Sequence, residues 1–287
     1  MSEDVFEQYR PLLLGLGYRL LGSMWDAEDV VQEAYLRWMR TDQSEIREPR
    51  AFLITVVSRL ALDQLRSARV TREAYVGPWL PEPVDAEGLG PLDTAELRDT
   101  LSYATLHMME ELTPPQRAVF VLREAFQLPY EEIAEIVGSS PATCRQLHSR
   151  AAKQLARSDH RFEPSSADVA ALVGRFMVAA QGGDIDALKE LLAEDVVTWN
   201  DGGGKVRAVG HPVVGRTQVV RLMLGLARRF PPEGAHLVEV NGEPAIRASI
   251  EGRPYVIAFD IREGEIHGIF GILNPDKLTR LDQPRGA

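Results

Sequence analysis

Leu112 to Leu155, LTPPQRAVFVLREAFQLPYEEIAEIVGSSPATCRQLHSRAAKQL, is the stretch whose reading decides the fold. Thr113 is suited to cap a helix, Pro114 to its first position and Gln116 to complete a capping box, so a helix should start there and carry Ala118, Val121, Leu122 and Ala125 inward. A second helix should place Tyr130, Ile133, Ala134 and Val137 on one face. Gly138 can end it in the left-handed conformation, and Ser140 can cap a third helix that opens with Pro141. This is the spacing of a helix-turn-helix. On the third helix Cys144, Leu147, Ala151 and Leu155 form an apolar seam. The opposite side carries Thr143, Arg145, Gln146, Ser149, Arg150, Lys153 and Arg157, with no carboxylate between Glu135 and Asp159. Arg and Gln can read base edges in the major groove while Lys and Arg neutralise phosphates. A solvated helix surface explains a charge run alone, but it does not explain the cap, glycine turn, seam and acid-free face together.

Working outward, 287 residues exceed one ordinary core and predict about two domains. A formal charge of -10 argues at first against nucleic acid, yet from Pro49 to Arg72 Asp63 is the single acid beside Arg50, Arg59, Arg66, Arg69 and Arg72. The basic charge is local and the acid lies elsewhere. The lone Cys144 on a helix seam reads as a small core residue in a reducing compartment, and the acidic N-terminus MSEDVFEQYR lacks a signal-peptide layout. No apolar run approaches membrane-spanning length, so a cytoplasmic protein without membrane contact is expected. Neither a metal-ligand cluster nor a cofactor motif appears, and none is expected.

The N-terminal third reads as three helices. Phe6, Tyr9, Leu13, Leu16 and Leu20 mark the first. Asp26 is expected to cap the second, with Val30, Ala34 and Trp38 inward and Asp29, Gln32, Glu33 and Leu36 on an outer strip that suits a basic protein partner. An ordinary acidic first turn favoured by the helix dipole fits as well. The third starts near Pro49 and carries Phe52, Val56, Arg59, Leu60, Asp63, Arg66 and Arg69, a mixture that suits backbone tracking along DNA, including a single strand.

The runs DAEDVVQEAYLRW, PRAFLITVVSRLALDQLRSAR and LTPPQRAVFVLRE, followed by the helix-turn-helix, resemble regions 2 and 4 of bacterial extracytoplasmic-function (ECF) sigma factors over most of residues 1–158. The resemblance implies that Asp26, Glu28, Asp29, Gln32 and Glu33 dock on core RNA polymerase. It implies that Arg50, Arg59, Asp63, Arg66 and Arg69 hold the melted strand of the promoter −10 element, and that Arg145, Gln146, Ser149 and Arg150 read the −35 element as duplex. Leu60 stands where many members have Asn.

Beyond Arg72, VTREAYVGPWLPEPVDAEGLGPLDTAEL is rich in Pro, Gly and acid and reads as a linker. Within it Trp79, Leu80, Pro81, Glu82 and Pro83 make a stiff apolar knob, or else simply pack the tryptophan on the nearest domain. After Ser158 the pattern changes again. Val169, Leu172, Val173 and Phe176 mark a helix, Asp184 caps another carrying Leu188, Leu191 and Leu192, VVTWN is a strand, and Val219–Ala227 is helical. Runs near HLVEV, AIRASI, YVIAFD and IHGIFGI are separated by Asn241-Gly242, Glu251-Gly252 and Glu263-Gly264, the signature of a meander. Helices followed by a meander predict an α+β domain.

That domain resembles the SnoaL-like, ketosteroid-isomerase-like cone, and three segments resemble the sigma factors that carry one fused: Trp79 to Pro83, the turn Asp201, Gly202, Gly203, Gly204, Lys205, and the segment Asn274, Pro275, Asp276, Lys277, Leu278. The expected architecture is multidomain, with a region 2 domain over 1–72, a linker over 73–95, a region 4 helix-turn-helix domain over 96–158 and a SnoaL-like α+β cone over 165–281. In that subgroup the appended domain regulates the sigma core. From the residues alone, the glycines of the DGGGK turn let backbone approach another surface while Asp201 and Lys205 anchor it; a hairpin turn is the plainer reading, and the pattern of a phosphate loop is absent. His211, Asp260, His267 and Trp199 are acid–base candidates by type, but no spacing pairs them. A regulatory module is favoured over a catalyst, and a small-molecule ligand for the cone is left open beside it, as sensor or enzyme.

Overall fold

The computed structural model describes residues 2–86, 89, 98–155 and 166–281, with the side chains of residues 2, 3, 68–73 and 166 excepted. Contacts divide the chain into a helical body, residues 1–73 and 86–158, and a second body in which residues 74–85 join the C-terminal part from 159 onward.

In the helical body α1 (Ser2–Leu21), α2 (Met24–Arg40) and α3 (Pro49–Glu73) pack around Phe6, Leu13, Leu16, Leu20, Val30, Ala34, Trp38, Leu53, Val57 and Ala61, all buried. Gly22 (φ 68°) ends α1, so α2 begins three residues earlier than a cap at Asp26 would require. The cap of α2 is therefore Ser23, whose Oγ accepts from the Asp26 amide at 3.3 Å. Asp26 instead takes a hydrogen bond from Gln64 Nε2 at 2.7 Å, tying α2 to α3.

The next helices that lie wholly within the described residues are α4 (Tyr103–Met109), which the sequence does not announce, α5 (Pro114–Glu124), α6 (Tyr130–Val137) and α7 (Pro141–Leu155). The Thr113–Gln116 capping box opens α5, with the Thr113 amide donating to Gln116 Oε1 at 3.0 Å. Gly138 closes α6 at φ 72°, ψ 47°, a conformation that a β-carbon penalises, and Ser140 Oγ accepts from the Thr143 amide at 3.1 Å to open α7. On α6 the buried residues are Ile133, Ala134 and Ile136; Tyr130 and Val137, expected inward, lie half-buried at its margins because the short helix meets its neighbours along the 133–136 edge.

Two buried arginines cross this body. Arg19 donates to Thr100 Oγ1 and to the Gly15 carbonyl, each at 3.0 Å. Arg117 donates to the Arg19 carbonyl at 3.1 Å and pairs with Glu110. Burial pulls the Arg19 guanidinium down to about 10, still charged at neutral pH, so its donors must be satisfied in place.

In the second body α8 (Ser166–Gly182), α9 (Ile185–Leu191) and α10 (Arg216–Arg229) pack on a sheet of β1 (Leu192–Asp201), β2 (Val213–Val214), β3 (Glu233–Val240), β4 (Glu243–Ile250), β5 (Arg253–Arg262) and β6 (Glu265–Ile272), ordered β2-β1-β6-β5-β4-β3. Only β1 and β6 run parallel within it. The four-stranded meander β3–β6 has the predicted turns: φ is 58° and 81° at Asn241-Gly242, 51° and 72° at Glu251-Gly252, and 51° and 81° at Glu263-Gly264. Both central residues of each turn lie in the left-handed region, as tight two-residue hairpins require. Asp184 caps α9 through the Ala187 amide at 3.0 Å, but Leu192 starts β1 rather than ending that helix. Phe176, Leu188, Val196, Val219, Phe259 and Ile269 are among the buried core residues where the helices close one face of the sheet, the α+β cone architecture.

Candidate functional site

Two sites have the geometry to act on a partner. The first is the outward face of α7. Cys144, Ala151 and Leu155 are buried and Leu147 is half-buried, which fixes the rotation of the helix; burial also pushes the Cys144 thiol up. Thr143, Arg145, Gln146, Ser149, Arg150 and Lys153 are all exposed, while Arg157 lies outside the described residues. Arg145 is held rather than loose: its Nη2 is 3.1 Å from Glu131 Oε1 and its guanidinium lies 5.3 Å from the Tyr130 ring centre. Behind it His148 accepts or donates at 3.2 Å from Tyr130 Oη and 2.7 Å from Glu124 Oε1, an arrangement satisfied by an imidazole with its proton on Nε2. The bond from His148 holds the Glu124 carboxyl below its usual range against the opposing effect of burial. This bracing set of Glu124, Tyr130 and His148 was not visible in the sequence, because its members come from three helices.

On α3, Arg50, Arg59, Asp63 and Arg66 are exposed; the Arg69 side chain lies outside the described residues. Arg66 Nη1 pairs with Asp63 at 3.1 Å, and Arg59 Nη2 donates to the Glu135 carbonyl on α6 at 2.9 Å. On α2, Asp29 and Gln32 are exposed, Asp26, Glu28 and Glu33 half-buried, and Glu33 pairs with Arg37 at 3.0 Å. Trp25, Leu36 and Met39 add large exposed apolar surface to the same helix.

The second site is a clasp around Asp201, and it gathers the three segments singled out by sequence. Asp201 ends β1 fully buried. Its Oδ1 accepts from Tyr75 Oη at 2.7 Å and from the Gly203 amide at 2.9 Å; its Oδ2 accepts from the Leu80 amide at 3.0 Å and meets Lys277 Nζ at 2.7 Å. Lys277 also donates to the Leu80 carbonyl, and its ammonium sits 4.2 Å from the Trp79 ring centre and 5.0 Å from that of Tyr75. An ammonium over two aromatic faces and against a buried carboxylate is compensated on each side. Burial, then the bond to Asp201, raises the Tyr75 phenol, so it donates and stays neutral. Asn274 Nδ2 donates to Tyr75 Oη at 2.9 Å, and Asn274 Oδ1 caps the short turn Pro275–Lys277 that presents Lys277. Leu278 is buried beneath it.

The glycines act here mainly by permitting the turn. Gly203 has φ 58°, and a β-carbon there would stand 2.3 Å from Asn274 Nδ2; at Gly202 one would stand 2.1 Å from the Val206 carbonyl oxygen. Gly204 faces Val76. Lys205, expected to anchor the linker, instead pairs with Asp276 at 2.5 Å, and the anchoring cation is Lys277. The reach of Lys205 is spent across the turn that carries Asn274. Along the knob, Leu80, Pro81, Glu82 and Pro83 are buried, Trp79 is half-buried and Glu82 lies 3.5 Å from Arg280. A further anchor, absent from the sequence reading, is Asn241: its amide donates to the Val84 carbonyl at 2.8 Å and its Oδ1 accepts from the Val84 amide at 3.2 Å.

The second body also holds a cavity of about 160 Å³ between α8, α10 and the sheet, and a neighbouring one of about 400 Å³; Asn200, Leu226, Phe230, Ile250, Tyr255 and Leu273 line both. None of the acid–base candidates lines either. Asp260 is paired with Arg262, His267 lies 3.6 Å from Asp195, and Trp199 stacks on Phe270 at 5.1 Å on the face opposite Thr198 and Asn200. Among the described residues no group of three or more His, Cys, Asp or Glu could hold a metal, and no helix is long and apolar enough to cross a membrane.

Comparison with known proteins gives these helices their family. Residues 5–71 match Sigma-70 region 2 and residues 103–155 match Sigma-70, region 4. The chain is 40% identical over 309 residues to the ECF RNA polymerase sigma factor SigJ of Mycobacterium tuberculosis, covering all of this chain (100%) and 98% of that protein. It is 34% identical to the probable ECF RNA polymerase sigma factor SigI of the same species, over 97% of this chain and 95% of that one. The crystal structure of Mycobacterium tuberculosis SigJ superposes with a TM-score of 0.80 at 37% identity, over 96% and 98% of the two chains. With two helical sigma regions in order, a full-length relative and a full-length structural match, the chain belongs to the ECF RNA polymerase sigma factors.

Proposed function

We propose that this sigma factor directs core RNA polymerase to a promoter through α7 and α3, and that its C-terminal domain controls the step by holding residues 74–85. The observation that carries the reading is the convergence of Tyr75 and Leu80 on the buried Asp201–Lys277 pair. A stretch of that length can span up to ~40 Å when extended. While it is clasped this reach is withdrawn from whatever spacing the two DNA-reading regions must adopt. Regulation then amounts to an equilibrium between clasped and released linker, and a coupling of about 1–3 kcal/mol is enough to shift it usefully.

In this reading Arg145, Gln146, Ser149 and Arg150 contact the −35 duplex, with Thr143 and Lys153 on adjoining phosphates. Arg50, Arg59, Asp63, Arg66 and Arg69 face the melted −10 strand, and Asp26, Glu28, Asp29, Gln32 and Glu33 meet the polymerase. The Arg59 bond to the Glu135 carbonyl and the Arg145–Glu131 pair are exchanged for nucleic-acid contacts. Both donors are exposed, so the exchange costs little.

The test is in vitro transcription with core polymerase, using the full chain, a truncation after Ser158, and the substitutions Trp79→Ala and Gly203→Asp. The two substitutions should change promoter output alike, and the double variant should add little to either. Additive effects, or output indifferent to both, overturn linker control. Loss of polymerase binding on reversing Asp29 and Glu33 to Lys tests the α2 surface separately.

A further inference from the structure

The cavity under the sheet shares its wall with the clasp. Along β1, Thr198 and Asn200 face the cavity and the next residue is Asp201. At the end of β6, Leu273 lines the cavity, its amide donates to the Asp201 carbonyl at 2.8 Å, and the next residue is Asn274. Gly271 opposes Asn200, and a β-carbon there would stand 2.6 Å from Asn200 Oδ1, so the amide lies flat against β6 only because residue 271 has no side chain. Any occupant that shifts or steadies Asn200 and Leu273 therefore acts one residue from the groups that hold Tyr75 and Leu80.

The chemistry of the wall limits the occupant. The inner cavity is lined by aliphatic and aromatic side chains with Gln181, Thr198, Asn200 and Tyr255 as its polar groups, and no charged side chain borders it. Burial raises the Tyr255 phenol, which keeps it a neutral donor. Charge appears only in the outer cavity, with Arg207, Glu251 and Arg253. An ion would lose hydration there without repayment, whereas an apolar molecule with one hydrogen-bonding group would lose none it cannot recover.

We infer that this cavity binds a neutral, largely apolar small molecule carrying one hydrogen-bonding group, and that its occupancy tightens the linker clasp through Asn200–Asp201 and Leu273–Asn274. The inference rests on the clasp as the regulatory element proposed above. A ligand that orders a shared wall favours whatever else that wall must order, without any larger movement.

The test uses full-length protein and N-phenyl-1-naphthylamine, a neutral fluorescent probe of the right character. Its emission should rise with saturable, one-to-one binding, and Ala227→Trp, which plugs the cavity from α10, should abolish the rise. Met223→Trp, one turn earlier on the same helix, is a second plug should the first not fold. At saturation, amide exchange over residues 74–85 should slow by at least about fivefold, and not in the plugged proteins. Non-saturable binding, or binding that survives both plugs, overturns the site; saturable binding with unchanged exchange over 74–85 overturns the coupling. Either failure leaves linker control untouched, because that is scored by transcription of the Trp79 and Gly203 variants without any probe.

Discussion

The outward face of α7 and the clasp around Asp201 are built from the same kinds of side chain, used to opposite ends. On α7 the cations lie in water, and Arg145 makes one exposed ion pair that is easily traded. In the clasp a single lysine and a single carboxylate are withdrawn from water and satisfied on every side. An exposed pair is worth about 0–1 kcal/mol, but removing one partner of a buried pair costs about 3–5 kcal/mol. One surface is thus disposable within the free protein and specific only toward a partner. The other is specific to this chain.

The sharpest way to break the contrast is Asp201→Ala. It leaves Lys277 buried without its counter-ion and the Tyr75 and Leu80 donors without an acceptor, so chemical denaturation should report a loss of about 3–5 kcal/mol, with protease cleavage appearing within residues 74–85. A loss below 1 kcal/mol would mean that the clasp is as loose as the α7 surface. Gly203→Ala should cost about 1–3 kcal/mol by the same measurement, since φ 58° is strained for alanine and the new methyl meets Asn274. Arg145→Ala should be nearly neutral for folding, within about 1 kcal/mol, yet cost about 1–3 kcal/mol of promoter binding with relaxed preference at one base pair, as read in a base-substitution series. The smallest effect concerns acid. The bond from His148 keeps the folded-state carboxyl of Glu124 below its ordinary value of 4.5. Its contribution is therefore present above that value and is lost as pH falls through the lower folded value. Glu124→Gln should flatten the acid side of the stability profile while leaving stability at neutral pH little changed in slope.

Legibility followed the same division. Gly138, Ser140 and Pro141 announce the turn before α7 because capping and left-handed backbone are decided by neighbouring residues, and the hairpin turns at 241, 251 and 263 announce themselves for the same reason. By residue type Ser23 and Asp26 are both suitable caps for α2, and the end of α1 at Gly22 leaves Ser23 in that place. Nothing in the sequence marks Arg19 and Arg117 as buried, since arginine is mostly exposed; their burial depends on carbonyls and hydroxyls supplied from α1 and from Thr100. Resemblance to a subgroup pointed to all three segments of the clasp, but it could not distinguish Lys205 from Lys277 as the anchor, since both lie in segments of the right kind and only the fold sets their reach. Asn241 escaped notice because its place in a hairpin turn already explained it.

The linker is fastened at its Tyr75–Leu80 end by the Asp201 group and at Val84 by the β3–β4 hairpin, with the Glu82–Arg280 pair between them, and the two end stations share no side chain. Under the linker control proposed above, release can begin at either end. Asn241→Gly keeps a residue at ease with the turn's positive φ and the 2.8 Å amide bond to the Val84 carbonyl while deleting the Oδ1 acceptor, and so loosens one end alone. A tether that lets go in stages can be set to graded tension instead of acting only as a latch.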